Sequence, residues 1–447
     1  MQWAASLDKE FTRLGAGGGD GTVCIGATTD PRVQRLFGMM PIMSAAPETV
    51  RRDRRLDVLV ATCQLVVTDG IDGVRSATVA ATAKLSVGTV HYYYPTLDDL
   101  MLAAFLWDEE QVLDPLAGRE PADDPLGTLE LLLSGQFARS GPEVRASFLL
   151  WQEYARRAMI DERIREVVVR RIERWVEVMA ELVRAAADRG EYREPADALT
   201  AARSFAALQF GASALQLIEL IPVEQAQGDL AFHVERSAAG SSRPSKAAHP
   251  VPQSPTAGAP TEAPALVLDA ALELVARGGL RGVHFAEVGT RAGFSTALPR
   301  YYFPNMPTLL AAAFSRFAER RRERMRRLVA TSADPRERVR LAVAALAAMD
   351  AAARRDELFI WHEFVRQAFI HGDARPAVCA AVRDDIDALV GLLIEAQPAA
   401  ADPRSAARRL VELADGVSLG GLLGILDVDE TGRILDWAVA DELDAQR

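Results

Sequence analysis

The side chains best suited to metal binding or catalysis are few and widely spaced. Cys24, Cys63 and Cys379 have no CxxC spacing, so neither a disulfide framework nor a zinc site is predicted. His362 and His371 have no carboxylate or second histidine at a metal-ligand spacing. The motifs GxGxxG, H-E-x-x-H and the P-loop do not occur. An enzyme is therefore the least favoured class, and no metal or cofactor is expected.

Hydrogen-bonding and aromatic side chains are denser in the segment SVGTVHYYYP, residues 86–95. Ser86 suits the N-cap of a helix over 87–94, which Pro95 would end. A short helix over 78–83 is expected before it, after an amphipathic helix with apolar positions at Leu56, Leu59, Cys63 and Val67. A helix, a tight turn and a short second helix are the helix-turn-helix pattern. A lone tyrosine cluster is more often a core feature, so this pattern needs independent support.

An internal repeat supplies that support. Residues 70–105 align without gaps on residues 279–314, with 14 identities in 36 positions that include the Gly, Ser, Tyr-Tyr and Pro of the motif. A second echo pairs LLWQEYARRAMI, residues 149–160, with FIWHEFVRQAFI, residues 359–370. The sequence therefore predicts two tandem copies of one unit.

The segment TVAATAKLSVGTVHYYYPTLDDLMLAAF resembles the DNA-binding signature of the tetracycline-repressor-like (TetR) family, and EVGTRAGFSTALPRYYFPNMPTLLAAAF resembles a diverged copy. The resemblance implies an all-α fold in which the third helix of each copy enters the major groove of operator DNA. In the first copy it implies phosphate contacts from Thr89 and Tyr93, and base-edge contacts from His91 and Tyr92. Gly88 would permit close backbone approach. The complete set of implied contacts is Lys84, Val87, Gly88, Thr89, His91, Tyr92 and Tyr93.

A basic arm precedes the first helix-turn-helix. Arginines in this place touch the DNA backbone or minor groove in the family, although a solvated charge run is an equal alternative. The arginines concerned are Arg51, Arg52, Arg54 and Arg55.

The second copy departs from the family pattern. Pro299 stands near the fourth position of its predicted recognition helix, where a backbone N–H is normally required, so we expect a distorted helix. Weaker DNA contacts are assigned to Thr296, Arg300, Tyr301 and Tyr302.

The predicted organisation is an N-terminal arm (1–50), a first helix-turn-helix domain (51–107), a first helical regulatory domain (108–232), a linker (233–264), a second helix-turn-helix domain (265–317) and a second regulatory domain (318–447). We expect the arm to be poorly ordered and the Pro/Ser/Ala/Gly-rich linker to be disordered.

The two regulatory domains are each expected to contain about five helices. Small and apolar residues in 204–220 and 411–427 suit a close helix interface, which could form within one chain as a pseudo-dimer or between chains. An effector pocket is assigned to aromatic and sulfur-containing residues, although such residues are more often simply core. They are Trp151, Tyr154, Met159, Trp175, Trp361, Phe364 and Phe369.

The net charge of −11 argues against non-specific coating of nucleic acid, so any DNA-binding surface must be local. We therefore expect a cytoplasmic, bacterial-type regulator of transcription that responds to a small-molecule effector, with repression as the family's usual mode. The alternative is a helical sensing or protein-interaction module that has lost DNA binding in one or both copies. No membrane association is expected.

Overall fold

The computed structural model describes residues 54–69, 71–113, 124–138, 142–192, 197–239, 249–253, 262–350, 354–370, 372, 374–399 and 401–445. The predicted N-terminal arm, Arg51, Arg52, His371 and most of the predicted linker lie outside these residues. All regular secondary structure in the described ranges is helical, which confirms the all-α expectation.

The N-terminal half contains nine helices within its described residues. They are α1 (Arg54–Asp69), α2 (Ser76–Ala83), α3 (Val87–Tyr93), α4 (Leu97–Leu113), α5 (Pro125–Ala138), α6 (Pro142–Ala158), α7 (Glu162–Asp188), α8 (Ala198–Leu217) and α9 (Val223–Ala239). A short 3-10 turn, Ile71–Gly73, joins α1 to α2.

The C-terminal half repeats this succession in the part that the structure describes. Its helices are α10 (Ala263–Gly278), α11 (Phe285–Arg291), α12 (Leu298–Tyr302), α13 (Met306–Val329), α14 (Pro335–Leu346), α15 (Arg354–Ile370), α16 (Arg375–Ala396), α17 (Pro403–Leu423) and α18 (Val428–Ala445). The 3-10 turn Leu280–Gly282 follows α10. After the first four helices, five helices follow in each half, as expected.

Two helices cross the boundaries drawn from the sequence. Helix α4 continues to Leu113, beyond the boundary drawn at 107, and α9 continues to Ala239, beyond the linker start at 233. The small and polar composition of 233–239 is typical of a linker, but His233 and Val234 are buried against the helical core. Tertiary packing therefore outweighs composition here.

The chain forms two compact units, of which the first holds α1 to α4. The helices of this first unit enclose an apolar core. Its members, all at most 1% exposed, are Val58, Val66, Val74, Val79, Val90, Leu100, Ala104 and Phe105.

The second unit contains α5 to α18 apart from the first two residues of α6, and α8 crosses α17 within it at very short range. A Cβ atom added to Gly211 would lie 1.8 Å from the carbonyl oxygen of Glu412, and one added to Gly416 would lie 1.7 Å from that of Ala207. Only glycine permits this backbone approach. The ranges 204–220 and 411–427 therefore do contribute a close helix contact.

The structural register of the two halves in this region is 205 residues, since Asp197 caps α8 and Asp402 caps α17 through their side chains. The next helices begin at Val223 and Val428, with the same separation. The two ranges singled out from the sequence are offset by 207 residues, so they are two residues out of register.

Candidate nucleic-acid interface

The first helix-turn-helix is built by local hydrogen bonds. Helix α2 ends at Lys84, whose φ of 57° is left-handed and whose N–H donates to the α2 carbonyls. Ser86 then starts α3, because its Oγ accepts the Thr89 N–H at 3.1 Å. The predicted N-cap is confirmed, and the helix ends one residue earlier than expected, with Tyr94 as its C-cap.

Helix α3 has one buried side and one exposed side. Val90 is 1% exposed and anchors it to the core, while Tyr94 at its end is 4% exposed. Tyr92 is 81% exposed and Val87 42%, and His91 is exposed as well. Exposing a tyrosine ring in this way forgoes its burial energy, which is typical of a contact surface.

The predicted DNA-contacting side chains are oriented by neighbours on the same motif. Thr89 Oγ1 lies 2.9 Å from Ser86 Oγ, and His91 Nδ1 lies 3.3 Å from the Pro95 carbonyl oxygen. The ring of Tyr93 is half-buried and packs edge-on against Tyr92, with centroids 5.2 Å apart. The two tyrosine rings therefore contact each other at the end of the helix, with Tyr92 the more exposed of the two.

The basic residues occupy the edges of this surface. Arg54 and Lys84 are exposed. Arg55 is also exposed, but its Nε donates to the Tyr94 hydroxyl at 3.2 Å, so it braces the end of α3 from α1.

A capping box starts α4, as the sequence predicts. The Thr96 N–H donates to Asp99 Oδ2 at 3.1 Å, and the Asp99 N–H donates to Thr96 Oγ1 at 3.0 Å. These two bonds satisfy N–H groups that have no partner within the helix.

In the second helix-turn-helix, the third helix ends as it does in the first copy, but it starts differently. Helix α12 has five residues, and no side chain caps its start. At its end the Phe303 N–H donates to the Pro299 carbonyl at 2.9 Å, matching the Tyr94 to Val90 bond of 2.8 Å in the first copy. Tyr301 is 80% exposed, and its ring lies 5.2 Å from that of Tyr302.

Pro299 alters the start of the helix, as its missing N–H predicts: the Val90 N–H donates to the Ser86 carbonyl at 3.2 Å in the first copy, and Pro299 has no N–H to make the corresponding bond. Because α12 begins at Leu298, Pro299 stands in the first turn, where an N–H has no partner within the helix. Pro299 is also buried, in the place that Val90 occupies in the first copy. The departure is therefore a shorter helix, which leaves Thr296 in the preceding turn.

Arg300 is exposed, and its guanidinium lies 5.1 Å from the Phe285 ring centroid. A cation over an aromatic face is held by the ring's quadrupole. Arg300 therefore has a partner on its own motif at the position that His91 has in the first copy.

A buried carboxylate joins the second helix-turn-helix to α15. Glu363 of α15 accepts the Leu280 N–H at 3.0 Å and the Arg366 Nη2 at 3.0 Å, and it is 2% exposed. Gly279, with φ of 72°, leaves room for this carboxylate. The sequence shows Glu363 only as part of the repeated Glu-x-x-Arg pattern, which gives no hint of this partner.

Its counterpart Glu153 has a similar environment in α6. Arg156 Nη2 and Arg157 Nε donate to Glu153 Oε1 at 2.8 and 3.0 Å. Burial opposes the charged form, but these bonds, with a further contribution from the charge of Arg366, hold the pKa of Glu153 at about 2. Glu153 is therefore ionised throughout the neutral range.

The four predicted pocket residues of the first regulatory domain lie on α6 and α7 or directly after α6. Trp151 stacks on Phe210 at 5.4 Å, and Trp175 Nε1 donates to Gln209 Oε1 at 3.0 Å, so both contact neighbouring residues of α8. Tyr154 and Met159 are buried.

The three predicted pocket residues of the second regulatory domain lie on α15 and are all buried. Trp361 Nε1 donates to the Asp415 carboxylate, and Phe364 packs 4.7 Å from Phe314. Phe369 is 7% exposed. The three positions on α15 suit a packed core, and the role of all seven residues in an effector pocket stays a prediction.

His362 has a structural partner, because its Nε2 lies 3.0 Å from Ser418 Oγ. Burial lowers the pKa of His362, which favours the neutral imidazole. No group of three or more His, Cys, Asp or Glu side chains that could hold a metal occurs among the described residues. None of the helices in those residues is long and apolar enough to cross a bilayer.

No protein-family model and no curated protein matches the sequence. Among solved structures, a protein from Rhodococcus sp. described as a TetR-family transcriptional regulator is 26% identical, with a TM-score of 0.37, covering 41% of this chain and 98% of its own. A TetR transcription regulator from Haloarcula marismortui is 21% identical, with a TM-score of 0.37, covering 42% and 97%.

The multidrug binding protein EbrR, complexed with ethidium, is 27% identical, with a TM-score of 0.32, covering 40% of this chain and 98% of its own. TM-scores of this size do not establish a common fold. The function proposed below depends on the geometry of the chain itself.

Proposed function

We propose that the chain is a DNA-binding regulator of transcription of the TetR type, which carries two readers in one polypeptide and responds to a small-molecule effector. The observation that carries this proposal is the pair of short third helices, each of which ends in an exposed tyrosine, Tyr92 or Tyr301, braced by a second tyrosine. A helix with one buried and one exposed side, held by a preceding helix, suits insertion into the major groove.

In the first reader, two groups of side chains have separate roles. Thr89 and Tyr93, with Lys84 and the arginines before α1, bind phosphates and set the register of the helix. His91 and Tyr92 lie toward base edges and give sequence preference. Gly88, which has no side chain, allows the backbone to approach the groove, and the exposed Val87 lies beside it.

Pairing within one chain is supported by the crossing of α8 and α17. In the register of 205 residues, Gly211 corresponds to Gly416 and Ala207 corresponds to Glu412. The two closest approaches, Gly211 to Glu412 and Gly416 to Ala207, are therefore reciprocal. Reciprocity of this kind is the property of an isologous, two-fold interface.

A second reciprocal contact lies beside the crossing. Arg203 forms an ion pair with Glu430. Its counterpart Arg408 lies against Gln225, the counterpart of Glu430, and the Gln225 amide accepts from Arg408 Nη1 at 2.6 Å when its oxygen faces the guanidinium. This supports a pseudo-dimer in which the two halves of one chain take the places of two subunits.

Effector binding among the core aromatic residues of either regulatory domain would change the relative stability of arrangements with different reader spacing. Binding of the effector would then weaken binding of the operator, and binding of the operator would weaken that of the effector. The result is repression that the effector relieves. The action is proposed for a cytoplasmic, bacterial-type protein.

The alternative is a sensing or interaction module without an operator. The acidic net charge of −11 and the uncapped five-residue α12 favour it for the second reader. It predicts ligand or partner binding with no salt-sensitive, sequence-specific DNA complex.

The proposal is tested by measuring binding of the full-length chain to DNA from its own upstream region at several salt concentrations. We expect a specific complex whose affinity falls as salt rises, because phosphate contacts release counterions. Thr89→Ala and Tyr93→Phe should weaken it, whereas Glu177→Gln, on the exposed surface of α7, is the control. Specific binding absent at all salt concentrations would contradict the proposal.

A further inference from the structure

We propose that the interface between the two halves is heterotypic: its charges favour an N-terminal half on a C-terminal half and oppose pairing of either half with a copy of itself. This inference rests on the intramolecular pairing proposed above and is independent of DNA binding. It concerns the helices α8 and α9 of one half and α17 and α18 of the other.

The decisive contact joins Arg236 of α9 to Asp441 of α18. Arg236 Nη2 donates to Asp441 Oδ1 at 3.0 Å. In the register of 205 residues, Arg236 and Asp441 are each other's counterparts. Counterpart residues touch each other only near the two-fold axis of an isologous interface. The axis position therefore carries opposite charges in the two halves.

This placement distinguishes the possible pairs. Two N-terminal halves would bring Arg236 against Arg236, and two C-terminal halves would bring Asp441 against Asp441. The Asp441 side chain is only 4% exposed, so solvent would screen such a repulsion poorly. Like charges in contact discriminate against wrong partners.

A second, buried carboxylate strengthens the preference. Asp229 of α9 accepts two bonds of 2.8 Å from Arg408 of α17, and Arg409 Nη1 lies 3.6 Å away. The counterpart of Asp229 is Ile434. A pair of C-terminal halves would thus remove the bidentate carboxylate partner of the buried Arg408, which would keep only Glu412 Oε1 at 3.7 Å, whereas Arg409 would keep Glu442. Loss of one partner of a buried ion pair is destabilising.

Asp229 does not disfavour the pairing of two N-terminal halves. Asp229 would then meet Arg203, the counterpart of Arg408. Discrimination against that pair depends on Arg236, which makes the Arg236–Asp441 contact the one to test.

The first experiment uses the full-length chain and reverses the charges. Asp441→Arg and Arg236→Asp should each lower the thermal midpoint, because each creates a like-charge contact. The double variant Arg236→Asp/Asp441→Arg restores opposite charges with reversed polarity and should recover most of the loss. The matched control reverses an exposed pair within α7, Glu177→Arg with Arg184→Asp, and should change the midpoint little.

Recovery by the double variant supports a charge-specified interface. Single variants with unchanged midpoints, or a double variant no better than the worse single, would overturn it.

The second experiment asks which halves pair. The two single variants are refolded together from denaturant, and the mass is measured by light scattering. When the chains exchange halves, the retained Arg236 of one chain meets the retained Asp441 of the other. The two introduced side chains, an aspartate and an arginine, then meet each other as well, so exchange between unlike chains relieves both repulsions.

We expect a two-chain species in the mixture that neither variant forms alone, and a one-chain wild type. A mixture that equals the sum of its components, or a wild-type dimer formed by like halves, would overturn the proposal.

Discussion

The two helix-turn-helix motifs are alike at the C-terminal end of their third helix and differ at its N-terminal end. In both, an exposed tyrosine lies 5.2 Å from a second one, and a C-terminal hydrogen bond of about the same length closes the helix. Only the first has a side-chain cap and a seven-residue recognition helix. The exposed tyrosine proposed to contact bases is thus retained in both motifs. The helix start differs, because Leu298 stands in place of Thr89 and Gly293 in place of Lys84, two residues proposed to bind phosphate.

The largest effect is expected from the contact that fixes the second motif to its regulatory helices. Glu363→Ala leaves Arg366 buried without its carboxylate and the Leu280 N–H without an acceptor. Loss of one partner of a buried ion pair costs ~3–5 kcal/mol. The free energy of unfolding, measured in denaturant, should fall accordingly, and hydrogen exchange should increase at 280–283.

Glu363→Gln is the matched control, because the amide oxygen still accepts a hydrogen bond. It should lose less stability than Glu363→Ala. Equal losses for the two variants would show that the contact with Leu280 is unimportant.

The next effect separates the readers in DNA binding. Tyr92→Ala should weaken operator binding by about 1–3 kcal/mol, the range of a specific base contact. Tyr301→Ala, at the equally exposed position of the shorter helix, should weaken it less. Dissociation constants from fluorescence anisotropy at fixed salt measure both, with circular dichroism to verify the fold. Equal losses of operator affinity for the two variants would contradict the proposal that the two readers are unequal.

A smaller effect concerns the helix start. Ser86→Ala removes the side chain that accepts the Thr89 N–H and should cost ~1 kcal/mol of stability. Ser295→Ala changes the corresponding residue of the second motif, where no side chain caps α12. The unfolding free energies of the two variants test this directly, since a comparable loss at Ser295 would mean that the second helix is capped after all.

The two halves also differ at the α8–α17 crossing, where Glu412 replaces Ala207. Burial, and secondly the charge of Asp229, raise the pKa of Glu412 well above its ordinary value of 4.5. A carboxyl whose pKa is raised by folding contributes stability below pH 4.5 that is lost as pH rises through the folded-state pKa.

Glu412→Gln keeps the size of the side chain and removes the ionisation. Its thermal midpoint should match the wild type at low pH and exceed it increasingly as pH rises. A difference that is independent of pH would contradict the assigned pKa shift.

Local patterns in the sequence were sufficient for the caps. Ser86 bonds to a residue three positions away, and the same is true of Thr96 and Asp99, so the spacing alone predicts these contacts. The contact of Glu363 with Leu280 spans 83 residues, and that of Arg236 with Asp441 spans 205. Such partners depend on tertiary packing, which composition and periodicity do not specify. The same reason explains why 233–239 resembled a linker.

Whether one chain presents two unequal readers is measured by selecting binding sites from random duplex DNA with the full-length wild-type chain. We expect an enriched motif with one strongly specified half-site and a weakly specified neighbour. A palindrome with equal half-sites, or no enrichment at all, would contradict it.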